Sequence, residues 1–296
     1  KEADAAKESA LVAKLNEAKR LADGYFYEEA IALLSAIEGE EAMDERIPEA
    51  IELYQSTQEH LQVYEGDYSH LCFLGLIEDT ARAFDGDSRS QTYASSRLTT
   101  KEFRAILNSL YGNGYVLVDI HDVAKEETDA RGITTVELQE LRLPAGKKPI
   151  LISQDNLNYK DVTNGDGIAT RLVLDDEGKV KALYTDEEGH DLKGDYDLIP
   201  ILDSFVEEHP DFSYRGAKGI VSVSGIEGVF GYEIKDTTVA DHEENRSAVR
   251  SIAQALRESG WQIAGTGYNY TYINSLHAET LKEELDLWSA EVGELT

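Results

Sequence analysis

The sequence predicts a mixed α/β fold in which a parallel sheet forms part of a (β/α) barrel, preceded by a small all-α segment. From about residue 67 onward, short apolar runs alternate with amphipathic helical patterns, as in parallel sheets whose strands are joined by helices. Before that point the apolar residues recur only at helical spacing, as at Leu11, Leu15 and Ala18. We therefore divide the chain into a helical segment, residues 1–66, and an α/β domain, residues 67–296.

The helical segment is predicted to contain a helical hairpin followed by a third helix. Asp23-Gly24 interrupts the first apolar stripe, and a second stripe begins at Tyr27. The stretch AKRLADGYFYEEAIALL resembles one tetratricopeptide-type hairpin, with small residues where two helices would pack. The third helix is predicted over 48–64. Because one hairpin cannot form a solenoid, a stalk or spacer is favoured over a peptide-binding groove.

The α/β domain is predicted to begin with a strand at 70–77, which contains the single cysteine, Cys72, as a buried small hydrophobe. A polar loop follows at 83–97, and Thr99 or Thr100 then caps a helix that ends near Gly112. The remaining pattern alternates strands and helices: strands at 115–120 and 149–152, a hairpin from 168–175 and 178–184, a helix at 196–212, a strand at 218–225, a helix at 244–260, a strand at 261–267 and a helix at 278–293.

The composition excludes several function classes. Fifty-eight acidic residues against 28 basic ones give a formal charge of −30, which repels phosphate backbones and anionic lipid surfaces. We therefore expect no nucleic-acid partner. No apolar run approaches the roughly 20 residues of a membrane span. A single cysteine leaves no internal disulfide and no cysteine-based metal site. Phosphate-binding glycine loops and the H-E-x-x-H zinc motif are also absent from the sequence.

Four segments in a fixed order carry a resemblance to a known family. A short strand comes first, and T-x-x-x-F-x-x-x-L-x-x-L-Y-x-x-G-Y follows from Thr99 to Tyr115. P-x-G-K-K-P then precedes the strand that ends in Ser153-Gln154-Asp155, and GWQIAGTGYNY follows near the C-terminus. From about His70 onward this series resembles the polysaccharide deacetylase family, the NodB-homology carbohydrate esterases (carbohydrate esterase family 4).

The resemblance implies a distorted or partial (β/α) barrel of NodB-homology type that removes acetyl groups from sugars. In the family a divalent metal such as zinc, held by one aspartate and two histidines, activates water beside an aspartate base. Here Asp155 keeps the base position, whereas the three metal-ligand positions hold Asn156, Thr266 and Tyr270. An amide, a hydroxyl and a neutral phenol are poor zinc ligands. The resemblance therefore implies a degenerate site with no bound metal.

Three functions follow from this comparison. The favoured one is a catalytically inactive, carbohydrate-associated pseudoenzyme, with a glycan cleft lined by Tyr159, Tyr214, Arg215 and Tyr268. The second is an active deacetylase of N- or O-acetylated glycans that uses Asp155 as base in a nonstandard site. The third is a structural or interaction module in which residues 1–66 dock a protein partner.

The resemblance also bears on location and chain length. The family's usual work on cell-wall and extracellular glycans implies an extracellular or cell-surface bacterial protein. The family's later motifs would lie beyond Thr296, so we expect the natural chain to continue. The sequence is also compatible with a signal peptide or a lipid anchor before Lys1.

Overall fold

The computed structural model describes residues 2–159, 163–235, 237–238 and 240–296, with side chains from residue 5. The chain divides into two compact units, each built from three stretches of sequence. The first unit comprises Lys1–Tyr68, Asn113–Ile150 and Glu208–Ala217. The second comprises Ser69–Gly112, Leu151–Glu207 and Lys218–Thr296.

The first unit begins with three helices, α1 (Glu2–Asp23), α2 (Tyr27–Ser35) and α3 (Arg46–Glu59). Their shared core contains the small residues Ala18, Ala22 and Ala30, which let helices approach closely, as the sequence predicts. The predicted break between α1 and α2 is also confirmed, and Tyr25 there takes a left-handed φ of 69°. The third helix ends earlier than predicted. Its last residue is Glu59, because the chain turns at His60 and enters a strand.

The rest of the first unit consists of short elements: β1 (Gln62–Val63), β3 (Tyr115–Leu117), α7 (Ile120–Val123), β4 (Ala124–Thr128), β5 (Thr134–Leu138), β6 (Arg142–Leu143) and the start of β7 (Lys148–Gln154). The strand β1 pairs antiparallel with β6, and β3 pairs in parallel with the start of β7. The antiparallel β4–β5 hairpin is not predicted by the sequence. Nearly all of its residues are exposed, so it lacks the apolar alternation that marks a half-buried strand.

The second unit contains β2 (Ser69–Phe73), α4 (Thr80–Ala83), α5 (Ser90–Ser96), α6 (Thr100–Gly112), the end of β7, β8 (Arg171–Leu174), β9 (Val180–Thr185), β10 (Asp191–Gly194), α8 (Leu198–Glu208), β11 (Ile220–Val223), α9 (His242–Glu258), β12 (Gln262–Gly265) and α10 (Ala278–Trp288). Its main sheet has the order β12-β11-β7-β2. The pairs β11–β12 and β11–β7 are parallel, which confirms the predicted mixed α/β class. The order of the described strands is open, without a closed ring.

Local sequence explains how α6 begins. The amide of Glu102 donates to Thr99 Oγ1 at 3.1 Å, and Glu102 Oε2 accepts from the amide of Thr99 at 2.8 Å. This reciprocal capping box satisfies two backbone donors that the first helical turn leaves free. Phe103 and Leu107 of α6 are fully buried, as their spacing predicts. The helix therefore begins and ends where the sequence indicates.

Two predictions at the start of the second unit are wrong. The stretch 83–97 is not only a loop, because it contains α5, whose Tyr93 is buried and donates to Asp166 Oδ2 at 2.5 Å. Cys72 is exposed rather than buried. The strand β2 ends at Phe73 and alternates its side chains, so His70 and Cys72 share the exposed side.

The other strands and helices that the sequence predicts for the second unit are present. The strands β8 and β9 form the predicted antiparallel hairpin, and β10 extends it to three strands. The helix α9 buries Val249, Ile252 and Leu256 along one side. None of the described helices is long and apolar enough to cross a membrane.

Candidate functional site

Polar residues collect where β7 ends and the chain turns. The strand buries Ile150, Leu151 and Ile152 and ends at Gln154, and Asp155 and Asn156 follow directly. Asn156 adopts a left-handed φ of 50°, a conformation that asparagine tolerates better than most residues. The carboxyl ends of parallel strands are where open α/β sheets gather binding residues. The sequence prediction singled out this strand end for the same reason.

Both carboxylate oxygens of Asp155 accept hydrogen bonds from hydroxyl groups. Ser222 Oγ donates to Oδ1 at 2.7 Å, and the Tyr270 hydroxyl donates to Oδ2 at 2.9 Å. Partial burial and the bond to Asp155 raise the pKa of Tyr270 to about 12. The phenol therefore stays protonated at neutral pH and remains a donor to the carboxylate.

The neighbouring strand β11 supplies two serines to this site. In the stretch VSVSG, Val221 and Val223 are buried in the core, whereas Ser222 and Ser224 point the other way because side chains alternate along a strand. Ser224 Oγ donates to Asn156 Oδ1 at 3.1 Å and accepts from the buried amide of Asn158 at 2.7 Å. Neither serine is among the site residues predicted from the sequence, although the V-S-V-S alternation indicates them.

Asp197 is a fully buried carboxylate next to the end of β7. It accepts from the Leu76 amide at 2.9 Å, from Gln154 Nε2 at 3.0 Å and from the Tyr159 hydroxyl at 2.7 Å. Burial, together with the nearby Asp197 charge, raises the pKa of Tyr159 well above its usual value. The sequence analysis missed Asp197, because an aspartate directly before α8 looks like an ordinary helix cap.

Arg97 brings a positive charge to the same region. Its Nη1 donates to the Gly75 carbonyl at 2.6 Å, and the guanidinium carbon lies 5.6 Å from the ring centroid of Tyr93. Burial lowers the pKa of Arg97, and the negative charge of Asp197 partly opposes that shift. An arginine remains charged at neutral pH despite such a shift. Arg97 is not among the site residues predicted from the sequence.

These groups border a cavity of about 210 Å³, which we call the β7 pocket. It is lined by Leu74, Gly75, Arg97, Asp155, Asn156, Leu157, Tyr159, Thr163, Ile168 and Tyr270. Four of the residues that the sequence analysis selected therefore lie together here, namely Asp155, Asn156, Tyr159 and Tyr270.

The other selected residues lie elsewhere. Thr266 does not line the β7 pocket, and its buried hydroxyl has no hydrogen-bond partner among the described residues. Tyr268 is 3% exposed and borders a separate cavity of about 500 Å³ near the start of α9.

Tyr214 and Arg215 belong to the first unit, whereas the residues that line the β7 pocket belong to the second. Tyr214 packs on Tyr25 with ring centroids 5.4 Å apart, and Arg215 pairs with Glu29 at 2.9 Å. These contacts give both residues a packing role within their own unit.

The three positions that would hold a metal do not fit one. The amide oxygen of Asn156 already accepts from Ser224, and Tyr270 is a protonated phenol bonded to Asp155. Thr266 offers only a hydroxyl. Zinc prefers imidazole, thiolate or carboxylate ligands, so this set lacks the donors that the ion requires.

Asp186, Glu188 and His190 offer ligand atoms within 4.8 Å of one another, at the turn between β9 and β10. The turn itself accounts for part of this proximity, because Asp186 accepts from the backbone amide of His190 at 2.8 Å and lies 3.2 Å from its ring. Exposed acidic groups commonly cluster without an ion. We therefore assign no metal to this turn.

Comparison with protein-family models, with curated proteins and with solved structures found no match to this chain.

Proposed function

We propose that this protein is a carbohydrate-binding relative of the polysaccharide deacetylases that has lost metal-dependent catalysis. The observation that carries the proposal is the β7 pocket, which gathers an acid, an amide and two phenols at the end of a parallel strand. The proposal includes a partial (β/α) barrel of NodB-homology type. Its support is the parallel pairing of β11 with β7 and β12, together with the ordered sequence motifs.

The pocket chemistry suits a small polyhydroxylated ligand. Asn156 uses its amide oxygen within the protein, but its amide nitrogen has no partner among the described residues and is available as a donor. Tyr270 lines the pocket and is 42% exposed, so part of its aromatic side chain is accessible to a ligand. A volume of about 210 Å³ lies below the roughly 300–1,000 Å³ of pockets for drug-sized ligands. The pocket therefore suits one sugar ring rather than a longer segment.

Binding is better supported than hydrolysis by the state of Asp155. A general base must approach the proton that it removes, directly or through one water. Both oxygens of Asp155 already accept from hydroxyls, one from Ser222 and one from Tyr270. An active deacetylase would need one of these oxygens to accept a proton from water as well, and would need to activate that water without the metal ligands that its relatives use.

A glycan screen followed by titration tests the proposal. Acetylated and deacetylated chitooligosaccharides, xylan fragments and their monosaccharides would be screened on an array, and each hit titrated by calorimetry. The Asn156→Gly variant removes the amide without adding strain at a left-handed φ. We expect it to weaken binding about tenfold, as for the loss of one or two hydrogen bonds.

The control is Asn108→Ala, which removes an exposed amide of α6 outside the pocket and should leave the affinity unchanged. Absence of binding to every glycan would contradict the proposal. Equal affinity in Asn156→Gly and the native chain would move the binding site away from the β7 pocket.

A further inference from the structure

Arg97 is unusual among the cations of this acidic chain because it lines a pocket instead of pairing with a carboxylate. The described ion pairs occupy many of the other arginines, including Arg46, Arg82 and Arg89. Arg97 forms no ion pair within 4.0 Å among the described residues, although the Asp197 charge acts on it at longer range. Its charge is therefore available to a ligand.

The orientation of the guanidinium is fixed by the protein. Its single protein hydrogen bond among the described residues goes to the Gly75 carbonyl, and the group also lies over the Tyr93 ring. A Cβ at position 75 would stand 3.0 Å from Arg97 Nη1, so glycine leaves the room that the group needs. A guanidinium carries five N–H donors, of which only one is used here.

The nearby carboxylates do not compete strongly for these donors. Asp197 already accepts three hydrogen bonds, from Leu76, Gln154 and Tyr159. Asp155 accepts from two hydroxyls. Neutral donors thus occupy part of the acceptor capacity of each carboxylate, and neither carboxylate forms an ion pair with Arg97 within 4.0 Å among the described residues.

We propose that the β7 pocket takes an acidic sugar, a uronic acid, whose carboxylate is bound by Arg97. The inference rests on the proposed carbohydrate-binding function and names the class of sugar. A planar carboxylate matches the fork of a guanidinium and can accept two parallel hydrogen bonds from it. The negative charge of Asp155 disfavours a carboxylate beside it, so the sugar hydroxyls face Asp155 and Asn156 while the acid faces Arg97.

The test compares two ligands of nearly the same size and shape, one with a charged carboxylate and one with a neutral amide. Glucuronate and its uncharged amide, glucuronamide, would be titrated into the full chain at pH 7 and followed by ligand-observed NMR. Charge-assisted hydrogen bonds exceed neutral ones by enough that we expect glucuronate to bind about tenfold more tightly. This comparison uses the native chain and needs no substitution.

Variants then assign the preference to Arg97. In Arg97→Gln the two ligands should bind equally, whereas Arg250→Gln removes one positive charge from an exposed position of α9 and should keep the tenfold preference. Gly75→Ala keeps every charge but crowds Nη1, and should reduce the preference. Thermal unfolding of each variant would verify that the fold is retained.

The outcomes separate the two proposals. Equal binding of glucuronate and glucuronamide to the native chain would overturn the acidic-sugar inference and leave carbohydrate binding intact. A preference that survives in Arg97→Gln would also overturn the inference. If neither of these ligands nor any neutral glycan binds, both the inference and the proposed function are wrong.

Discussion

The buried Asp197 gives a quantitative prediction for the Tyr159→Phe variant. The substitution keeps the aromatic ring and removes the hydroxyl that donates to Asp197 Oδ2 at 2.7 Å. A hydrogen bond to a charged group contributes roughly 1.5–3 kcal/mol. Gln154 continues to donate to the same oxygen, so the carboxylate is not left without a partner. We therefore expect a loss of about 2 kcal/mol in the free energy of unfolding.

A second tyrosine provides the matched control. Tyr232 donates to the neutral Leu172 carbonyl at 3.0 Å, so Tyr232→Phe should cost only about 1 kcal/mol. Urea titrations of the full chain, followed by circular dichroism, give the two midpoints and hence the difference. An equal or smaller loss in Tyr159→Phe would refute the view that a charged carboxylate accepts this bond.

The contribution of Tyr159 to the free energy of unfolding depends on pH in a defined direction. The folded protein raises the pKa of Tyr159 well above its usual value, so the protonated phenol is favoured in the folded state. The stabilisation of the folded state by the protonated Tyr159 hydroxyl is therefore complete below the unfolded pKa of about 10. This stabilisation is lost as the pH rises toward the pKa of Tyr159 in the folded protein. Consequently, Tyr159→Phe should show its full destabilisation at pH 7 and a smaller one above pH 10.

Three further predictions test other parts of the structure. Gly167→Ala should lower the free energy of unfolding by about 1–3 kcal/mol more than Gly165→Ala. Both glycines have positive φ, but only a Cβ at 167 would collide with a backbone oxygen, that of Asp79, and equal losses in urea titrations would contradict this contact. Cys72 should react with a thiol reagent in native buffer at one equivalent per chain, and labelling that requires denaturant would contradict its exposure. In NMR of ¹³C-tyrosine-labelled protein, the signal lost in Tyr270→Phe should titrate near pH 12, and a midpoint near 10 would argue against its bond to Asp155.

The sequence predicts most of the second unit because its signals are local. The apolar run that ends in Gln154 marks β7, and the pattern from Thr99 to Gly112 marks a capped helix. The prediction of polar residues at the end of β7 follows from the same reasoning, so Asp155 and Asn156 could be selected without coordinates.

The rest of the site could not be predicted because it depends on contacts between distant residues. Asp197 meets Gln154 across 43 positions of sequence and Leu76 across 121. Arg97 lies in a polar stretch whose short helix has too few apolar residues to show a period. Tyr214 and Arg215 illustrate the converse. Their residue types suit a sugar site, but Tyr214 packs on Tyr25 in the turn between α1 and α2, and Arg215 pairs with Glu29 of α2.

A zinc titration tests most directly whether the β7 pocket has lost a metal site. Bound metals would be measured by mass spectrometry on protein purified without chelator, and zinc then titrated by calorimetry into the native chain and the double variant Asn156→Asp, Tyr270→His, whose two positions both line the β7 pocket. We predict no stoichiometric zinc in the native chain and a gain of one zinc in the variant, because the variant adds one carboxylate and one imidazole beside Asp155. Tight stoichiometric zinc in the native chain that disappears in Asp155→Asn would contradict a metal-free pocket.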